Sequence, residues 1–289
     1  MPPTLLAIPN VSEGRDTDAI AAIGKAFGAA VDGRLLDIHS DPDHHRSVFT
    51  LAGAPAELAP AVLAGAVEAV RRIDVLSGHE GIHPRVGAID VAPIVYLDPA
   101  DRGAAGAEAL VLGDMLGTEL ELPVFMYGEL GQGRTRAELR RGGPANLARR
   151  IESGELRPDF GPRRLHPTAG AVLVAARPPL IAFNVELAPP ATVEEAREIA
   201  ARIREGGAEG LDGVRAIGLW LDARGVAQVS TNVEDHRAVP LGKLVEAVAR
   251  HAKPIRAELV GLAPAAAFDG FPDELPVANR RTVEDALTR

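Results

Sequence analysis

Leu35-Leu36-Asp37-Ile38-His39-Ser40-Asp41-Pro42-Asp43-His44-His45-Arg46-Ser47-Val48-Phe49-Thr50-Leu51 reads as two strands joined by a polar turn. The Asp-Pro content marks the turn. The second strand alternates from Ser47 and ends at Gly53. A helix pattern lies on each side. Ile20, Ile23 and Phe27 fall at helical spacing between Thr17 and Ala30, with Asp16 or Thr17 as cap. Leu58, Val62, Ala66 and Val70 share one face between Pro55 and Arg72. An apolar strand, Leu5 to Ile8, precedes the first helix, and another, Ala88 to Leu97, follows the second. The order is β-α-β-β-α-β, the split pattern of ferredoxin-like sheets.

Further elements are appended. Ala100 to Glu121 reads as a helix and Val124 to Tyr127 as a strand. Ala171 to Ala175 and Leu180 to Glu186 are strands, and Thr192 to Arg204 is a helix opened by a Thr192/Glu195 capping box. Val214 to Leu221 and Ala227 to Val233 form a hairpin; Leu241 to His251 is a helix and Ala257 to Leu262 a strand. Counted from Leu180, the second half repeats β-α-β-β-α-β. The fold class expected is therefore α/β (α+β), with two related ferredoxin-like subdomains, residues 1–177 and 178–289. The charged tail from Phe271 to Arg289 reads as a peripheral helix or a frayed end.

Chemistry-bearing residues are densest at Ser77-Gly78-His79-Glu80-Gly81-Ile82-His83-Pro84-Arg85-Val86-Gly87. Two readings stand open. His79-Glu80-Gly81-Ile82-His83 fits the H-E-x-x-H pattern of zinc peptidases, which needs a helix to bring both histidines to one face. Gly78 and Gly81 weaken such a helix, and Pro84 pushes His83 out of the α region. The alternative is an acid–base loop, stiffened by Pro84, in which Arg85 offers a bidentate donor to an anion. A purely structural loop would use its histidines to cap or bridge neighbours.

Composition bounds these readings. The 289 residues are 46% hydrophobic, enough for a large core. A formal net charge of −9 argues against general nucleic-acid binding. With no cysteine there is neither a disulfide nor a thiol nucleophile, which suits a cytoplasmic enzyme. Met1-Pro2-Pro3-Thr4 lacks the basic-then-apolar pattern of a signal peptide, and no apolar run is long enough to cross a membrane. Lysine is limited to Lys25, Lys243 and Lys253, which reads as genomic base composition.

Three other features stand out. Arg134, Arg136, Arg140 and Arg141 cluster within Gly128 to Gly143, either as a solvated helix face or as a hold for the anionic tail of a ligand. Pro158 to Gly170 carries too many prolines and glycines for helix or strand; Phe160, Arg163, Arg164 and His166 set it apart from a plain linker. Asn10-Val11, Asn184-Val185 and Asn232-Val233 each precede acidic residues at the end of a strand pattern. These asparagines either form turns or aim amides into one site.

Six segments in this order resemble glutamate formimidoyltransferase. They are Ile8-Pro9-Asn10-Val11-Ser12-Glu13-Gly14; Leu36-Asp37 with Asp41-Pro42-Asp43-His44-His45-Arg46-Ser47-Val48; Gly81-Ile82-His83-Pro84-Arg85-Val86-Gly87-Ala88-Ile89-Asp90; Val124-Phe125-Met126-Tyr127-Gly128-Glu129; Pro158-Asp159-Phe160-Gly161-Pro162; and Ile181-Ala182-Phe183-Asn184-Val185. The same domain opens the animal formimidoyltransferase–cyclodeaminase. The resemblance runs from Leu5 to at least Leu262 and includes no cyclodeaminase domain.

The resemblance implies ferredoxin-like sheets that face each other across a folate-binding cleft, in a homodimeric enzyme that moves a formimidoyl group between glutamate and N5 of tetrahydrofolate in histidine breakdown, with no metal. It places the family's catalytic histidine on His83. Its folate stretch falls on Gly161-Pro162-Arg163-Arg164-Leu165-His166-Pro167-Thr168-Ala169-Gly170. His39 stands where the animal enzyme has an acidic residue, and His44-His45 replace small polar residues. Orientation of the catalytic imidazole then passes to Asp37, Asp41 or Glu80. Asn10, Asp37, His39, His44, Arg46, His79, Arg85, Asn184 and Asn232 complete the candidate substrate-binding set. Arginine suits carboxylates, and an acidic chain needs local basic groups to admit anionic substrates. A formyl donor in place of formimidoyl, and a zinc hydrolase built on His79, Glu80 and His83, stay open as alternatives.

Overall fold

The computed structural model describes residues 4–29, 34–77, 84–222 and 224–288. The chain divides into two compact units, residues 1–178 and 179–289. In the first, the elements run β1 (Leu5–Ala7), β2 (Asn10–Val11), α1 (Thr17–Ala29), β3 (Leu35–Asp41), β4 (Arg46–Gly53), α2 (Leu58–Arg72), β5 (Ile89–Tyr96), α3 (Arg102–Glu119), β6 (Val124–Met126), α4 (Arg136–Arg140), α5 (Gly143–Glu152) and β7 (Val172–Arg177). The second contains β8 (Ile181–Leu187), α6 (Val193–Ile203), β9 (Val214–Leu221), β10 (Val226–Val233), α7 (Leu241–Ala249), β11 (Pro254–Val260), β12 (Val277–Ala278) and α8 (Val283–Leu287). Both units are α+β.

In the first sheet β1 and β2 share one lane between β4 and β5, and β3 lies outside β4. These pairings are antiparallel, whereas β7 joins β5 in parallel and β6 joins β7 in parallel. Pro9 has no N–H for the ladder, and the lane breaks there: its carbonyl accepts from Phe49 N–H at 3.0 Å. The main core lies under α1, α2 and α3, with Phe27, Phe49, Leu51, Ile94 and Leu112 fully buried. A smaller cluster on the other face packs Val91, Phe125, Tyr127 and Leu173 against Leu139, Leu147 and Ile151 of α4 and α5.

Glu108 is buried within the main layer. Its two carboxylate oxygens accept from Ala56 N–H at 2.6 Å and Ala59 N–H at 2.7 Å. It thereby caps α2, whose own preceding residue, Glu57, makes no side-chain cap bond.

The second sheet has the order β12-β11-β8-β10-β9, with α6 and α7 over Phe183, Val185, Val229 and Leu259. The Thr192/Glu195 capping box is present. The tail is neither a simple peripheral helix nor frayed. Val277 and Ala278 extend the sheet in parallel beside β11, and Thr282 caps α8. A two-residue strand leaves no periodic trace in a sequence; its pairing alone holds it. Asn184 also departs from expectation. It lies in mid-strand, because β8 continues to Leu187.

Replacing Glu108 by Leu leaves the buried Ala59 N–H and the part-buried Ala56 N–H at the α2 start without their acceptor. A loss of about 2–4 kcal/mol is expected in denaturant unfolding, from hydrogen bonds to a charged group. Glu108→Gln, which keeps one acceptor, should lose less.

Candidate active site

Three of the six motif segments, residues 8–14, 36–48 and the described part of 81–90, meet at one end of the first sheet, whereas residues 124–129 and 158–162 pair with each other along β6. The start of β5 and the turn before β7 are locked together. Gly87 and Gly170 form a bridge, Ala88 N–H donates to Ala169 O at 2.9 Å, and Ala171 N–H donates to Val86 O at 2.9 Å. Val75 N–H donates to Thr168 O at 3.0 Å. Residues 168–171 therefore hold both ends of the segment that carries the central histidine. A Cβ at Gly87 would collide with the Ala171 carbonyl, and one at Gly170, with φ +71°, would collide with the Val86 carbonyl. Ser12 Oγ donates to Gly87 O at 2.7 Å, which adds the end of β2 to the same knot. His79, Glu80 and His83 lie outside the described residues.

The β3–β4 hairpin supplies the neighbouring polar groups. Asp37 faces Thr50, His39 faces Val48 and Asp41 faces Arg46, so all share one face of the sheet. Asn10 opposes Val48 and Val91 and joins that face; its amide N–H donates to Ile8 O at 3.0 Å, across the break in the lane. Asp37 is 5% exposed and His39 8%.

His44 Nδ1 lies 2.6 Å from Asp41 Oδ2, and Asp41 Oδ1 accepts from the N–H groups of Asp43 and His44. Burial alone would raise the Asp41 carboxyl. The His44 hydrogen bond, the His44 charge and the two backbone N–H groups outweigh burial and hold it at about 2 instead of 3.8. His45 Nδ1 accepts from Gly14 N–H at 3.1 Å. Burial keeps this imidazole below its ordinary pKa, against the pull of Glu13.

Cations gather beside these acids. Burial lowers Arg46 to about 10, helped by the charges of Arg140 and Arg136 and opposed by Asp90 and Asp41. Arg85 is also lowered by burial and Arg15, against Asp90. Asp90 is 1% exposed; it accepts from Val86 N–H at 2.8 Å and from Arg140. One carboxylate thus ties the end of the histidine segment to α4.

The stretch from Gly161 to Gly170 splits in two. His166 closes a turn, accepting at Nδ1 from Ala169 N–H at 3.0 Å, and burial lowers its pKa. Arg163 and Arg164 are exposed, and Arg164 pairs with Glu121 at 3.5 Å. Neither is brought to the Arg46 cluster by a described contact. Arg134 is engaged by Asp159 at 2.6 Å. In the second unit Asn184 and Asn232 share one face of β8 and β10, and Asn184 Nδ2 donates to Glu258 at 3.4 Å.

Sequence reasoning missed Asp90 as a structural carboxylate and Tyr127 altogether. Arg136 and Arg140 were visible only as members of a charge run; their i, i+4 spacing is the signal that puts them on one face. Among the described residues, no group of three or more His, Asp or Glu side chains is placed to hold a metal ion.

The Asp41 pair gives a pH test. A carboxyl depressed in the folded state binds its proton less readily than in the unfolded chain. Its stabilisation is full above pH 3.8 and is lost as pH falls through about 2. Acid unfolding should therefore lose about 2 kcal/mol over that window from this group. Asp41→Asn should be less stable at neutral pH and show a correspondingly flatter acid limb.

The chain is similar to known proteins over most of its length. The model of the formiminotransferase domain, N-terminal subdomain, matches residues 4–177, and that of the formiminotransferase domain matches residues 182–269. A glutamate formimidoyltransferase of Thermoplasma acidophilum is 34% identical over 267 residues, covering 89% of this chain and 87% of that protein. One from Streptococcus pyogenes is 34% identical over 272 residues, covering 90% and 89%. The formimidoyltransferase-cyclodeaminase of Sus scrofa is 36% identical over 271 residues, 89% of this chain, which spans only 49% of that longer protein. The chain belongs to the formiminotransferase domain family.

Proposed function

We propose that the protein transfers a formimidoyl group between N-formimidoyl-L-glutamate and N5 of tetrahydrofolate, as a cytoplasmic homodimer serving histidine degradation. The observation that carries this reading is the convergence of three motif segments on one sheet end, in a chain whose microbial relatives are glutamate formimidoyltransferases over most of their length. Tetrahydrofolate is a co-substrate here, and the reaction needs no metal.

The chemistry is an amine exchange at an imino carbon. N5 attacks that carbon, a tetrahedral adduct forms, and the bond to the glutamate nitrogen breaks. The attacking nitrogen must lose a proton and the leaving nitrogen must gain one. A histidine near neutrality does both, and His83 takes that role in this reading. The 168–171 clamp supports it by holding Val75 and Val86, which flank His83 in the sequence. Asp37 and His39 line one sheet face and His44 pairs with Asp41 in the turn beyond it, and in this reading they orient substrate or imidazole. Arg46 and Arg85 supply cationic partners for carboxylates. Gly161 to Gly170 is the folate stretch in this reading, and Asn184 and Asn232 are its substrate-binding candidates within the second unit.

His83→Ala should lower turnover about 10²–10⁴-fold with folding unchanged by circular dichroism. Near-normal turnover would remove His83 from the mechanism. In the parent assay, transfer from N-formimidoyl-L-glutamate should require tetrahydrofolate and survive a chelator; N-formyl-L-glutamate, run in parallel, identifies the donor. Glutamate release without folate, abolished by the chelator, would mean a metal hydrolase instead.

A further inference from the structure

The short helix α4 carries a feature that the motif segments do not explain. A capping box of Thr135 and Glu138 fixes its first turn. Arg136 and Arg140, one turn apart, lie on the same side of it. The Arg136 guanidinium stands over the Tyr127 ring, 5.8 Å from its centroid. Tyr127, just after β6, is only 6% exposed, and its hydroxyl is buried with no hydrogen-bond partner among the described residues. Arg140 donates through one terminal nitrogen to Asp90, while its Nε–H is also buried and unpartnered among the described residues.

Two strong donors are therefore withheld from water and left unused, a costly arrangement unless an acceptor arrives. The local charge has the same sign. The charges of Arg140 and Arg136 both act on Arg46, against the described carboxylates Asp90 and Asp41, and Asp41 is already engaged by His44. The unused Tyr127 hydroxyl and Arg140 Nε–H, set among guanidinium charges, suit an acceptor-only planar anion.

We propose that Tyr127, Arg136 and Arg140, with Arg46, form the seat of a glutamate-type carboxylate of a substrate. This inference rests on the transferase reading for the identity of that substrate. Both the formimidoyl donor and the tail of the folate carry such a carboxylate. The chemistry of the seat is shared, and experiment separates the two. Tyr127 and Arg140 are then substrate-binding groups, while Asp90 positions Arg140.

Tyr127→Phe tests it with the smallest change, since ring packing and the Arg136 stack remain. Michaelis constants are measured for N-formimidoyl-L-glutamate, for tetrahydrofolate and for tetrahydropteroate, which lacks the glutamate. Arg136→Gln serves as the second variant and exposed Arg149→Gln as the control. The expected result is a rise of about tenfold in one KM, which forms the larger part of the loss in kcat/KM. A rise for the donor assigns the seat to its carboxylate. A rise for tetrahydrofolate but not tetrahydropteroate assigns it to the folate tail. Unchanged KM values for both substrates in both variants would overturn the seat. If the parent protein transfers nothing, the transferase reading fails separately. The seat is then read by thermal shift with glutarate: stabilisation of the parent that Tyr127→Phe and Arg136→Gln lose supports it, and an equal or absent shift overturns it.

Discussion

The first unit depends on a backbone contact that only glycine permits. Gly87 and Gly170 bring β5 and the turn before β7 so close that neither position has room for a side chain. The bonds around them run in both directions, Ala88 to Ala169 and Ala171 to Val86. Backbone-to-backbone bonds of this kind place the segment without relying on any side-chain rotamer. The side chains of that region are thus free to be chosen for chemistry. The same contact joins residues 86–88 to residues 169–171, far apart in sequence, as one structural feature.

Charge is arranged around this contact in a graded way. Asp41 with His44 is a local pair, made within one turn of the hairpin. Asp90 with Arg140 is long-range and nearly closed to water, with side chains 2% and 11% exposed. A buried pair of this kind contributes less net stability than it enforces geometry, because desolvation offsets much of the attraction. Its value here is that α4 cannot drift from the start of β5. Exposed pairs such as Arg102 with Glu129 or Arg164 with Glu121 have no such leverage.

Much of the architecture could be read in the sequence because its determinants are local. The β3–β4 hairpin declared itself through alternation and Asp-Pro, and α6 through Thr192 and Glu195. Where the determinant is tertiary, the sequence is silent. β12 exists only because β11 is beside it, and β8 carries Asn184 in mid-strand because its pairing with β10 and β11 continues. The site divides along the same line. Asn10, Asp37, His39 and Arg46 lie on one face because strand alternation puts them there. The Asp90–Arg140 pair spans fifty positions of chain, and the Tyr127 hydroxyl matters only for what surrounds it; no periodicity reports either. The histidine segment itself, His79 to His83, lies outside the described residues, so its reading rests on sequence and on the two ends that hold it.

The break at Pro9 has a mechanical consequence. β1 and β2 occupy one lane, but the pairing of β2 with β5 shifts between Asn10 and Val11, whereas β1 keeps regular register with both neighbours. A continuous strand would transmit any sliding of its core half directly to its far end. The interrupted lane acts instead as a slip joint. Leu5 to Ala7 can settle into the packing under α2, while Asn10 to Ser12 take their alignment from β4, β5 and Gly87. Drift in the core and precision at the sheet end are thereby separated within a single strand lane.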